Sequence, residues 1–244
     1  MKALELDPEF GPAHAVRGWL LLLEDLNFTA AGTEFKRAVE LSPNTVEGHE
    51  GLGDYYATIG QPEEAVLELE RARELDPLAS IVNLDLCRML YFARQYDDAL
   101  AQCKANLDLD PNEHALRQLA TIYATKRMDS EATSAFLRSL EVAGAPPAVI
   151  TAAKRGANDS GLSGYWKALI PFMLENADGE KPDPWIVAVA FASTGNNDKA
   201  LLWLRKAIDA RCFGITYLRV DPTFDSLRSD SRFQNLLHRM KLSA

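Results

Sequence analysis

Gly51–Pro77, GLGDYYATIGQPEEAVLELERARELDP, decides how the rest of the chain is read. Leu52, Tyr55, Tyr56 and Ile59 recur at helical spacing, so the stretch opens with one apolar helix face. Gly60 is placed to end that helix, and Pro62 sits in the first turn of the next. Glu63 and Glu64 put negative charge at the positive end of the second helix. Ala65, Val66, Leu69 and Ala72 then form a second apolar face. Asp76-Pro77 ends it, because proline offers no N–H and cannot continue the ladder. A hairpin this small cannot bury both faces by itself.

The unit recurs. ALELDP, AVELSP, ARELDP and NLDLDP end at Pro8, Pro43, Pro77 and Pro111, spaced by 35, 34 and 34 residues. The small residue of the second helix returns as Ala31, Ala65, Ala99, Ala132 and Ala200, at intervals of 34, 34, 33 and 68. A fixed period of this size means stacked helical hairpins rather than one globular core.

These residues resemble the tetratricopeptide repeat, whose pattern runs Leu-Gly, Tyr, Ala, Phe, Ala and a closing Pro. Leu52, Gly53, Tyr56, Ala65, Leu69, Ala72 and Pro77 fill those places, with Leu for Phe. Gly18, Leu22, Ala31, Phe35, Ala38 and Pro43 fill them in the repeat before, with one extra residue near its turn. The third repeat departs further, with Leu86, Cys87, Leu90, Ala99, Cys103, Asn106 and Pro111. The fourth has Leu119, Ala120, Tyr123, Ala132, Phe136 and Ser139 without the closing proline. The resemblance implies an all-α, right-handed α-α superhelix closed by a C-terminal capping helix.

The expected organisation is the end of a truncated repeat at 1–10 and four repeats at 11–143. Two further repeats follow at 144–210, the first degenerate, and a capping segment at 211–244. The four hairpins are expected at Pro12–Leu41, Val46–Leu75, Ser80–Leu109 and Glu113–Val142. In the degenerate repeat a helix over Ala148–Asn158, a long turn to Gly164 and a second helix to about Asn176 are expected, with a kink or break at Pro171. Asp178–Pro184 reads as a polar link and Val187–Ala207 as a sixth hairpin. Asp221-Pro222 is a helix-start signal, and Phe233, Leu236, Leu237 and Met240 make one apolar stripe suited to covering an open end.

Tyr217–Leu242, YLRVDPTFDSLRSDSRFQNLLHRMKL, resembles the closing segment of large bacterial signalling proteins. In those, a tetratricopeptide array follows a winged-helix, cyclase-like or Ser/Thr kinase domain. With a start inside a second helix, KALELDP, this implies the C-terminal piece of a longer protein.

The net charge is −9, with −12 in Met1–Asn112 and +3 in Glu113–Ala244. An acidic front half argues against direct binding of a nucleic-acid backbone and for a basic or apolar protein segment. No apolar run approaches the roughly 20 residues that span a bilayer. Cys87, Cys103 and Cys212 lack framework spacing and read as thiols, the first two buried at core positions. The expected compartment is the cytoplasm, with the periplasm as the alternative if the parent protein has an upstream span.

His14, His49, His114 and His238 have no zinc-ligand spacing, and no nucleophile sits in a motif with a histidine. Neither a cofactor, a metal nor catalysis is expected. The remaining candidate is a surface. In the family, first helices line a concave groove, which implies Glu47, Glu50 and Asp54, then Leu84, Arg88 and Tyr91, then Arg117 and Thr121. Glu50 and Asp54 stand where chaperone-binding members carry a carboxylate clamp, so that clamp is not carried over. The chain thus reads as a protein-interaction and regulatory module; the alternatives are a self-association module, giving a homo-oligomer, and a small-molecule sensor.

Overall fold

The computed structural model describes residues 2–175 and 182–242, and every regular element among them is helical. After α1 (Lys2–Leu6) come the hairpins α2 (Gly11–Leu23) and α3 (Phe28–Leu41), α4 (Val46–Thr58) and α5 (Pro62–Leu75), α6 (Ser80–Phe92) and α7 (Tyr96–Leu109), and α8 (Glu113–Thr125) and α9 (Asp129–Val142). Then follow α10 (Pro147–Leu174), the hairpin α11 (Pro184–Ser193) and α12 (Asn197–Asp209), two 3-10 helices (Phe213–Tyr217 and Pro222–Leu227) and α13 (Ser231–Arg239). The chain divides into two compact units. Residues up to Gln102 group with Thr216–Val220, and Cys103–Ile215 groups with the residues from Asp221 onward.

In the first unit the repeat works through close approach. A side chain at Gly53 would run into Leu69 and press on the Ala65 carbonyl, and Ala65 itself is fully buried. The small residues thus mark where α4 lies on α5. Helix ends are less uniform than the sequence pattern suggests. Gly60 ends its hairpin's first helix at φ +87°, but Leu26 and Arg94 take the same left-handed conformation in neighbouring hairpins.

A second device joins successive repeats, and it explains two histidines. His14 Nε2 lies 2.9 Å from the Pro8 carbonyl and Nδ1 lies 2.7 Å from Glu34 Oε2. His49 repeats this with Pro43 at 3.0 Å and Glu68 at 2.7 Å. A carbonyl can only accept, so Nε2 carries a hydrogen in both. In the third repeat Asn83 Nδ2 donates to the Pro77 carbonyl at 3.0 Å, and Gln102 replaces the glutamate, donating to Asn83 Oδ1 at 2.8 Å. Each first helix is therefore tied to the carbonyl that closes the preceding repeat.

In the second unit, α10 corrects the expected long turn. Non-helical dihedrals are confined to Ser160 and Gly161, where Gly161 reverses the chain at φ +59°. The two arms touch at Gly156 and Gly164, where a side chain on either would strike the other's carbonyl. Of the kink or break expected at Pro171, a break is not there: the helix runs through it to Leu174, with the proline only a turn from the end. Phe136, Tyr165 and Trp166 form the aromatic centre of this core, with ring centroids 5.0–5.3 Å apart. The fourth hairpin's turn takes its left-handed residue from Arg127, and the last hairpin's from Gly195. Asp221 caps the second 3-10 helix, accepting from the Thr223 N–H at 2.8 Å, and Phe224 stacks edge-on against Trp185. Phe233, Leu236, Leu237 and Met240 are buried, and α13 packs on α12. Most of the expected link Asp178–Pro184 lies outside the described residues.

The reading of Cys87 and Cys103 as thiols is corrected: both are disulfide-bonded, while Cys212 is free. Asn106 is fully buried with neither amide atom hydrogen-bonded among the described residues, at a place where the repeat pattern has alanine.

Two outcomes follow. His49→Asn, which copies Asn83, is expected to cost less than about 1 kcal/mol in urea denaturation, and His49→Ala about 1–3 kcal/mol. Alkylation of the unfolded, unreduced chain is expected to label one cysteine by mass spectrometry, and three after reduction.

Candidate functional site

The candidate residues on α4 are placed by helix period. Glu47 is exposed, Glu50 half-buried and Asp54 only 3% exposed. On α6, Leu84 and Tyr91 are buried, and Arg88 keeps 22% of its side chain in contact with solvent. Tyr91, expected as an aromatic anchor for a ligand, instead packs against Phe92 and Tyr96, each with centroids 5.8 Å away. Arg117 and Thr121 belong to the second unit. There Arg117 lies 3.2 Å from His114 Nδ1, and Thr121 donates to the Arg117 carbonyl at 2.9 Å.

In the first unit the α4 and α6 residues meet in one cluster, and two members of it were not singled out from the sequence. The first is Asp85, which accepts from Arg88 Nη1 at 2.7 Å. The second is Tyr217, from the inserted segment Thr216–Val220. Its hydroxyl donates to Asp54 Oδ1 at 2.6 Å, with Arg88 Nη1 3.5 Å away. The guanidinium lies 5.6 Å from the Tyr217 ring centroid, and Phe92 flanks the ring at 5.0 Å. Two residues on, Arg219 lies against Gly60, where any side chain on the glycine would meet it. Thr216, Tyr217, Leu218 and Val220 are all buried. A buried aspartate three residues before an arginine on the same helix was the legible sign of Asp85. Tyr217 carried no such local sign, because its partner lies 163 residues away.

Three carboxylates around one guanidinium cannot all stay charged away from water. Burial, then the Asp85 charge, pushes Glu50 up to about 7, and in its protonated form it donates to Asp85. Asp54 is pushed up to about 8, by burial first and Asp85 second, while the Tyr217 hydroxyl and Arg88 pull the other way. Burial also raises Asp85, and Arg88 opposes that. Arg88 stays charged: burial works against it, and Asp85, Tyr217 and Asp54 more than offset this. The Tyr217 phenol is held far above its ordinary value by burial and by Asp54. Near neutral pH the cluster is thus close to electroneutral, with the Asp85–Arg88 pair charged and Tyr217 offering a neutral hydroxyl. Its parts suit recognition of a side chain.

Against this geometry, residues 20–80 match the family model of the tetratricopeptide repeat. Over those residues the chain carries the tetratricopeptide repeat. The sequence has no match among curated proteins. Among solved structures, YrrB, described as a TPR protein with an unusual peptide-binding site, is 22% identical. The match covers 89% of this chain and 94% of YrrB, with a TM-score of 0.51. Pseudomonas aeruginosa PilF is 17% identical over 86% of this chain and 96% of its own, with a TM-score of 0.57. A chain of the APC/C hetero-tetramer Cut9–Hcn1 is 15% identical over 98% of this chain and 44% of its own, with a TM-score of 0.60. At these identities the likeness is one of tetratricopeptide fold. No helix among the described residues is long and apolar enough to cross a membrane.

The raised carboxylates carry a pH dependence with a definite sign. Folded Glu50 and Asp54 keep protons up to about 7 and about 8, whereas their ordinary values are 4.5 and 3.8. Between those limits the folded state binds more protons than the unfolded one, so stability falls as pH rises and levels off above about 8. From pH 5.5 to 8.5 the wild-type chain is expected to lose roughly 3–5 kcal/mol in urea denaturation, about 1.4 kcal/mol for each group and pH unit over which the folded state alone holds the proton. The Glu50→Gln/Asp54→Asn variant is expected to show a flatter profile.

Proposed function

We propose that this chain is a protein-interaction module whose binding face in the first unit is formed by α4 and α6, with Glu47, Glu50, Asp54, Leu84, Arg88 and Tyr91 as its framework. The observation that carries this is the seating of the short segment Thr216–Val220 on that face, with the Tyr217 hydroxyl donating to Asp54. The tetratricopeptide fold supports it, as does YrrB, described as having a peptide-binding site. In the second unit, taken by itself, Arg117 and Thr121 are the proposed binding residues of α8. An acidic front half favours a neutral or basic partner segment.

The finer reading is that of a regulatory C-terminal part of a larger bacterial signalling or transcription-regulatory protein, which the segment YLRVDPTFDSLRSDSRF supports by resemblance. The bonded Cys87 and Cys103 favour an oxidising compartment, the periplasmic alternative, over the cytoplasm.

The test is site-specific photocrosslinking in the source cell. A crosslinking residue at Glu47 or Glu50 is expected to trap a protein partner, and one at Arg71 or Glu74 on the exposed side of α5 is not. Equal trapping from both sides, or trapping from α5 alone, would overturn the assignment of the face.

A further inference from the structure

The occupant of the α4–α6 face belongs to the chain itself, and its chemistry can be read residue by residue. Thr216–Val220 groups with the first unit, while Ile215 before it and Asp221 after it group with the second. Thr216 and Tyr217 end the 3-10 helix Phe213–Tyr217, and the Val220 N–H donates to the Tyr217 carbonyl at 3.0 Å. Side chains hold the segment on the face. Leu218 and Val220 are buried. Arg219 reaches the α4–α5 turn at Gly60. Tyr217 is received on three sides, by Asp54 at its hydroxyl, by Phe92 at one edge of its ring and by Arg88 over it.

If this contact served only to fill space, a leucine or phenylalanine at 217 would do so without desolvating a carboxylate. Instead two helices bring buried Asp54 and Asp85 and mostly buried Arg88 together beside one phenol, with Glu50 half-buried next to them. Buried ionisable groups cost stability relative to apolar packing, and their best-attested return is selection of one partner over others. A site built to accept a hydrogen bond rejects an analogue that lacks the donor, because the acceptor is then left unpaired. The geometry therefore selects for tyrosine over phenylalanine. It also selects against phosphotyrosine, whose bulky dianion would replace a neutral hydroxyl 2.6 Å from Asp54 in a buried cluster where Arg88 is already paired with Asp85.

We infer that the α4–α6 face is a receptor for a tyrosine-bearing apolar segment, of the character Tyr-Leu-Arg-Val, and that Thr216–Val220 is its built-in occupant. A partner binds by presenting a segment of the same chemistry and taking that place. This rests on the reading of the face given above and names the ligand class of that same site. An intramolecular occupant competes at the effective concentration its linkage sets, so the intact chain is held in reserve against weak ligands.

The probe is a fluorescein-labelled peptide spanning Gly214–Pro222, GITYLRVDP, titrated by fluorescence anisotropy against the full wild-type chain and the full Tyr217→Ala chain. Helical content is checked by circular dichroism. The peptide is expected to bind Tyr217→Ala at least tenfold more tightly than wild type. Peptides carrying phenylalanine or phosphotyrosine in place of the tyrosine are expected to lose at least tenfold. If Tyr217→Ala loses helical content, Tyr217→Phe replaces it, since it keeps the ring and removes only the hydroxyl. Equal affinity for vacated and wild-type chains, binding to neither, or preference for the phosphotyrosine peptide would overturn the inference. Failure here with successful crosslinking from Glu47 removes only the tyrosine specificity. Failure of the crosslinking removes the face itself.

Discussion

A hairpin of two helices, each thirteen or fourteen residues long, buries only the stripe where they touch. Its remaining apolar surface must be covered by a neighbour, and the structure follows from how that covering is arranged. Within a hairpin the approach is set by the missing side chain of Gly53 against the Ala65 turn. Between hairpins it is set by a polar tie, a histidine or asparagine to the closing proline's carbonyl. Such a tie is directional where apolar packing is not. It fixes how far each first helix advances along its predecessor, a register that leucines and alanines alone would leave soft.

That register is what brings α4 and α6 into line so that Asp54 and Arg88 can address one phenol. Neither residue could do so alone. Arg88 without Asp85 would be a half-buried cation with no hydrogen-bonded counter-charge, and Asp54 without the Tyr217 hydroxyl would be a buried acid with nothing to accept from. The cluster also shows why counting formal charge misleads at such a place. The sequence puts three acidic groups beside one basic group, but burial moves Glu50 and Asp54 into their neutral forms. What surrounds the Tyr217 hydroxyl is then close to neutral.

Helix boundaries were legible because proline, glycine and capping residues act locally, within a few residues of the bond they control. The ends at Leu41, Leu75 and Leu109 follow from the sequence pattern for that reason. The turn in α10 was misread because Asn158–Gly164 has loop composition, and composition does not say which glycine takes positive φ. The role of His14 and His49 was not legible, because it depends on a carbonyl six residues back meeting a ring in space, which no spacing rule states. The places of Asp54 and Arg88 on α4 and α6 were legible, because the periodicity there is plain. The meeting of Tyr217 with Asp54 was not, because it is a tertiary fact. The bonded state of Cys87 and Cys103 was missed for the same reason.

The span of that meeting bears on how the chain acquires its structure. Arrays of hairpins ordinarily fold through contacts between near neighbours, so any part of the array can form as soon as it is made. The hydrogen bond from Tyr217 to Asp54 closes a loop of 163 residues within a unit whose other members end at Gln102. Contacts of that sequence separation form late and slow the final step. During synthesis, the first three first-helices leave the ribosome well before their last neighbour exists. For that interval the carboxylates of α4 and α6 stand open to water and to other chains. A nascent-chain companion with the right aromatic residue would find the place vacant, and completion of the C-terminus would then decide whether it stays.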